Sequence, residues 1–144
     1  MSDKKFIFLV IILFLIFILV SSLSSLRPDR NASSIAFSPQ TNSEGEVDIK
    51  VTPVTLIPNQ KPSFKISFDT HSVELDSDIP QNSVLTDNNN SFSNPSWEGS
   101  PPGGHHRSGI LTFNKPLKKT ESISLVLKNI SNIQERKFTW NLTN

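Results

Sequence analysis

From Val47 onward the chain alternates apolar and polar residues. Val47, Ile49 and Val51 are separated by Asp48 and Lys50, and after Pro53 the parity changes to Val54 and Leu56. Phe64, Ile66 and Phe68 form a second run, Val73 and Leu75 a short third, and Val84 with Leu85 marks another. Leu111 and Phe113 follow, then Ile123, Leu125 and Leu127, and finally Phe138, Trp140 and Leu142. Successive side chains of a strand point to opposite faces, so a period of two marks half-buried strands. Pro, Gly and Asn clusters separate the runs, and no window carries a helical stripe. The pattern predicts an all-β domain over 47–144. Roughly seven short strands in about 100 residues are the dimensions of an immunoglobulin-like β-sandwich. Parity puts Phe64, Phe68, Phe113, Phe138 and Trp140 in its interior. With no Cys and no Tyr, the disulfide and tyrosine corner of that fold are missing.

The N-terminal part follows another rule. Phe6 to Val20, "FIFLVIILFLIFILV", is wholly apolar, and the uncharged run continues through Ser and Leu to Leu26. As a helix it would measure about 30 Å, the thickness of a hydrocarbon core. Lys4 and Lys5 precede it, and with the amino terminus they favour an N-in orientation. Residues 1–26 are therefore expected to be an uncleaved membrane anchor with its lipid contact over 6–26. A signal peptide cut after Val20-Ser21-Ser22 is the alternative. Either reading exports the remainder, and the anchor makes a single-pass cell-membrane protein with its C-terminal domain outside the cytoplasm. Residues 27–46, rich in Ser, Asn and Pro, have linker composition, and 47–144 is the extracytoplasmic domain.

Composition removes several chemistries. Without Cys there is no thiolate catalysis, Cys-type zinc site or haem attachment. Sequons at Asn31, Asn89, Asn129 and Asn141 are compatible with export and do not argue for it. Residues 27–99 carry ten acidic and five basic side chains, and 100–144 carry two and seven. The sum over 27–144 is neutral, which speaks against nucleic acid as a partner. Interleaved strands would turn this asymmetry into cross-strand ion pairing.

Two stretches hold what chemistry the chain offers. In "FKISFDTHSVELD" the inward parity changes within Asp69 to Ser72, which predicts a β-bulge around His71, with Glu74 and Asp76 close by. "PSWEGSPPGGHHRSG", Pro95 to Gly109, holds one of the two Trp and two of the three His. Gly103 and Gly104 permit dihedrals that would let His105 and His106 converge in a turn. Three readings stay open. His71, His105 and His106 together would suit Cu(II) or Zn(II). Asp69, Trp97, Gly103, Gly104 and Arg107 would suit recognition of another cell-surface protein, because Trp, Arg and His on a glycine-framed loop have hot-spot composition. The plain alternative is a stiff turn, with Trp97 packed over a sheet end and Arg107 paired with Glu98 or another acidic neighbour. A hydrolase built on Asp69, His71 and Ser108 lacks a nucleophile elbow and an oxyanion hole, so no enzyme is expected.

"SFDTHSVELD", "SWEGSPPGGHHRSGILTF" and "ERKFTWNL", in this order, resemble an uncharacterised family of exported, membrane-anchored prokaryotic proteins with a short β-rich domain. The resemblance spans about Val51 to Leu142. It implies that Asp69, His71, Trp97, Gly103, Gly104, His105, His106 and Arg107 belong to one unit, and it supplies no activity. The expectation is a tethered binding module whose site joins the segment 69–76 to the loop 97–107. A histidine metal site and a purely structural surface module are the alternatives.

Overall fold

The computed structural model describes residues 37–88 and 90–143. The expected anchor at 6–26, and the sequons at Asn31 and Asn89, lie outside the described residues. Nine strands form among the described residues: β1 (Gln40–Asn42), β2 (Val47–Thr55), β3 (Ser63–Thr70), β4 (Ser83–Asp87), β5 (Ser91–Phe92), β6 (Ser96–Gly99), β7 (His106–Thr112), β8 (Ser122–Ile130) and β9 (Ile133–Asn141). They make two antiparallel sheets, ordered β1-β2-β3-β7-β6 and β5-β4-β8-β9. No helix occurs among the described residues. The all-β, two-sheet expectation therefore stands.

Alternation explains the layering. Val47, Ile49 and Val51 of β2 oppose Thr70, Phe68 and Ile66 of β3, and Leu111 of β7 opposes Phe64. From the other sheet come Leu85 of β4, Ile123, Leu125 and Leu127 of β8, and Phe138 and Trp140 of β9. All five aromatic residues assigned to the interior are buried. Phe64 is their hub, edge-on to Phe113 at 6.3 Å and tilted against Trp140 at 5.4 Å, arrangements that aromatic quadrupoles favour.

Four local expectations need correction. Val73 and Leu75 form no strand: β3 stops at Thr70, the chain bends at 71–73, and Leu75 is buried from an irregular segment. No bulge forms near His71, where β3 ends; the parity change read after Pro53 is a register shift between Pro53 and Thr55. There Pro53 has no amide proton for the ladder. The shift turns Val54 outward, 56% exposed, while Leu56 returns inward. The domain also starts before Val47, because β1 lies within the expected linker and pairs with β2. Finally, β5 and β6 come from Asn- and Pro-rich stretches without any alternation.

β1 closes one seam of the sandwich. It pairs with β2 on one side, and the Gln40 carboxamide binds both the Thr139 carbonyl and, at 3.1 Å, the Thr139 amide of edge strand β9. The Trp140 indole donates to Ser38 O at 2.9 Å, which fixes where the chain enters. Gln40 stands beside Val51 and Asn42 beside Ile49, so Phe37 lies toward the Thr55 end of β2. We name this the entry end; it also holds the start of β3, the end of β7 and the start of β8. The far end holds the start of β2, the end of β3, the start of β7 and the β8–β9 turn. That turn has φ of 49° at Ser131 and 61° at Asn132, as a type I′ hairpin requires.

Candidate functional site

The far end is assembled from the two motif stretches. The segment after β3 and the loop before β7 are joined through their backbones: Thr70 N donates to His105 O (3.0 Å), Leu75 N to Gly104 O (3.0 Å) and Gly103 N to Leu75 O (2.9 Å). This ladder needs φ of +108° at Gly103 and +76° at Gly104, a region that only glycine enters at no steric cost. The Glu74 carboxylate accepts from Gly104 N at 2.7 Å, completing the clamp. Thr70 reaches outward in turn, its hydroxyl donating to Glu46 O at 2.6 Å.

Arg107 lies beneath this loop. Strand parity turns it inward and leaves it 4% exposed. Its Nη1 donates to Ser77 O (2.6 Å) and Leu75 O (3.3 Å), and its Nε to Ser100 O (3.2 Å). Its guanidinium carbon sits 5.6 Å from the centre of the Trp97 ring. The expected pairing of Arg107 with Glu98 does not form: its partners are carbonyls. Burial pushes the guanidinium below its ordinary pKa, and the charge of Asp78 partly restores it. Trp97 is half-buried against Phe68 at 6.3 Å, with its indole N–H on Ser100 O at 3.0 Å. Both residues thus form the floor of the loop.

The polar side chains stand above that floor. His106 Nδ1 lies 2.8 Å from Asp69 Oδ1, and register sets Asp48 beside Asp69 in the same row. His71 is exposed on the bend after β3, and His105 is exposed on the loop whose carbonyl holds Thr70. The three histidines therefore share the far end. Among the described residues, no three His, Asp or Glu side chains are grouped to hold a metal ion. A cavity of about 10 Å³ between Phe68, Leu75, Arg107, Ile130 and Ser131 has room for about one water, so any larger ligand must meet this end from outside.

A second buried arginine lies within "ERKFTWNL", outside the two stretches taken as the candidate site. Arg136 of β9, 1% exposed, donates to Asn42 Oδ1 (2.9 Å), Ile130 O (2.6 Å) and Glu44 O (2.7 Å). Burial lowers its pKa also, with Glu44 opposing. Its inward parity within "IQERKFTWN" was the available signal.

Charge is sorted by end rather than by strand pairs. The far end exposes Glu44, Glu46, Asp48, Asp69, Glu74, Asp76 and Asp78. The entry end exposes Lys61, Lys65, Lys115, Lys118 and Lys119, beside Asp87, Glu121 and, in the row of Lys65, Glu98. Lys128 pairs with Glu135 at 3.4 Å across β8 and β9, but both lie within 100–144; the contact that joins the acidic 27–99 part to 100–144 is His106 with Asp69, across β3 and β7. Comparison with protein families, curated proteins and solved structures finds no match for this chain.

Proposed function

We propose that this protein is a membrane-tethered, extracytoplasmic binding module that presents its far end to another cell-surface protein. The anchor is the apolar run at 6–26. The scaffold is an immunoglobulin-like two-layer sandwich, a reading supported by its strand order: β2-β3-β7-β6 follows the A-B-E-D order of that fold and β4-β8-β9 its C-F-G order. The motif resemblance described above is consistent with an exported, anchored chain.

One observation carries the reading. Two stretches about thirty residues apart, otherwise poor in regular structure, are joined by reciprocal backbone bonds over a buried arginine. That construction holds Asp69, His71, His105 and His106 outward on a rigid base, and rigid presentation lowers the entropy cost of binding. Far more buried polar contact is used here than a simple connection between strands needs.

The test uses the full chain in its own membrane. A photoreactive residue at His105 is compared with one at Lys118, on the opposite end, with and without His71→Ala and His106→Ala. A discrete adduct from position 105 that both substitutions diminish supports the reading. Equal adducts from 105 and 118 refute it. Stoichiometric Cu(II) or Zn(II) retained by the purified chain and lost in His71→Ala would replace it with the metal-site alternative. Release of the chain by carbonate washing would refute the tether.

A further inference from the structure

The entry end has a composition that the far-end site does not use. Its lysines are Lys61, Lys65, Lys115, Lys118 and Lys119, all exposed. The large hydrophobic residues standing exposed among the described residues are Val54, at 56%, and Ile57, at 38%. Val54 lies near the end of β2, and Ile57 in the connection to β3 that also carries Lys61. Sequence and turn chemistry put them there: the register shift at Pro53 turns Val54 out, and Ile57 opens a tight turn. In that turn Gln60 N donates to Ile57 O at 3.1 Å, with Pro58 second and Asn59 third at φ 65°, the signature of a type II turn. Lysines surrounding a few protruding apolar side chains match a headgroup boundary, where amines meet phosphates and apolar tips enter the acyl edge.

The chain itself brings this end to a bilayer. Phe37 enters beside it, and ten residues separate Phe37 from Leu26, a reach of at most about 40 Å. Strands of nine residues make the sandwich about 30 Å long. For the acidic far end to face the lipid, nearly all of that reach would have to run back along the domain. Its carboxylates would then meet lipid phosphates of the same sign.

We propose that the entry end seats on anionic lipid headgroups of the bilayer that holds the anchor, standing the sandwich upright with its far end away from the lipid. This rests on the membrane tether proposed above. Each lysine near an anionic surface favours the seated state about fivefold, so reversing three should shift the balance by more than about 100-fold. At 1 M salt the Debye length falls to about 3 Å and the seat should release.

The chain has no cysteine, so one can be introduced and labelled alone. Full-length Gln60→Cys and Ser72→Cys chains, carrying a donor dye at the entry and far ends respectively, are placed in nanodiscs with an acceptor on the lipid headgroups. The discs are either purely zwitterionic or contain about one-third phosphatidylglycerol. The expected result is stronger transfer from position 60 than from position 72 in anionic discs. The position-60 signal should fall in zwitterionic discs, in 1 M salt, and in the combined Lys61→Glu, Lys118→Glu, Lys119→Glu chain. Unchanged far-ultraviolet dichroism confirms that the reversed chain is folded. A position-60 signal indifferent to lipid charge and to the reversal, with the chain still on the disc, overturns the seating while leaving the tether. Recruitment to anionic discs alone, through these lysines, overturns the tether and leaves the seating. A chain that joins neither disc overturns both.

Discussion

Replacing Arg107 by Met separates a floor residue from a ligand contact. A sum over three hydrogen bonds from a charged donor, about 1.5–3 kcal/mol each, would suggest a loss of roughly 5–9 kcal/mol. The geometry argues for less. Leu75 O keeps Gly103 N at 2.9 Å, and Ser100 O keeps the Trp97 indole at 3.0 Å. Ser77 O alone loses its donor, and an orphaned buried carbonyl costs about 1–3 kcal/mol. The substitution also abolishes the desolvation of a buried cation, the main cause of its lowered pKa. Met fills most of the volume of the arginine stem. The expected net loss is about 1–3 kcal/mol, still a sizeable fraction of the 5–15 kcal/mol typical of a domain.

Urea unfolding of the full chain measures that loss, and amide exchange locates it. Thr70, Leu75 and Gly103, whose N–H groups form the ladder over Arg107, should exchange faster than amides in β8. A loss beyond about 6 kcal/mol would mean the three bonds act as a sum and the shared acceptors give no compensation. A loss under about 0.5 kcal/mol with the ladder intact would remove Arg107 from the floor and return it to the list of ligand contacts.

Phe64→Ala should cost about 3–5 kcal/mol by calorimetry, since Phe64 joins Phe113 and Trp140, whereas Lys65→Ala on the outer face should cost well under 1 kcal/mol. Equal costs would put the register of β3 in error. Gly109→Ala places a methyl 2.6 Å from the Trp97 ring and 2.7 Å from Glu98 O, so β6 must shift. A destabilisation of about 1–3 kcal/mol with altered near-ultraviolet dichroism is expected, and an unperturbed Trp97 signal would contradict the packing. Gln40→Ala removes the carboxamide that serves both backbone groups of Thr139, so the Thr139 amide should lose exchange protection while Phe138 keeps its own. Equal loss at both would show that β1 supports the whole sheet rather than its edge.

What was legible in the chain divides along a physical line. Alternation is a one-residue property, so the inward residues of β2, β3, β7, β8 and β9 could be read directly, together with the five buried aromatics. β6 and the burial of Leu75 depend on partners elsewhere in the chain, and Ser96–Gly99 becomes a strand because Thr112 to Gly109 lies alongside it; β5 pairs locally with β4 but, at two residues, is too short to show alternation. The His71 parity change was real, but the chain resolved it by leaving the sheet rather than by bulging within it. The convergence of Gly103 and Gly104 with the segment after β3 could be anticipated from the glycines. Their partner, the Glu74 carboxylate, could not be singled out among its acidic neighbours. Arg107 looked like a recognition residue by type, and its inward parity, three residues after Gly104, was the overlooked clue.

The two buried arginines give the acidic far end its physical sense. Seven exposed carboxylates crowd an end whose loops would otherwise gain by spreading apart. Beneath them Arg107 ties the 74–77 and 100 segments through backbone carbonyls, and Arg136 ties the 42–44 segment to the β8–β9 turn through the Asn42 side-chain carbonyl and the Glu44 and Ile130 backbone carbonyls. Carbonyl acceptors leave each guanidinium's charge uncancelled at contact range. Its field therefore acts upward on Asp78 in one case and Glu44 in the other, the carboxylates that partly offset its desolvation. The same two side chains thus supply loop rigidity and a positive underlayer for a negative surface. At the entry end Lys115, Lys118 and Lys119 share the connection from β7 to β8, Lys61 lies in that from β2 to β3, and Lys65 lies in β3 itself. An end built to be stiff, acidic and histidine-bearing, opposite one that is basic and carries its apolar residues outward, gives the domain a direction. That direction is what the two proposals, recognition at one end and lipid seating at the other, rest on.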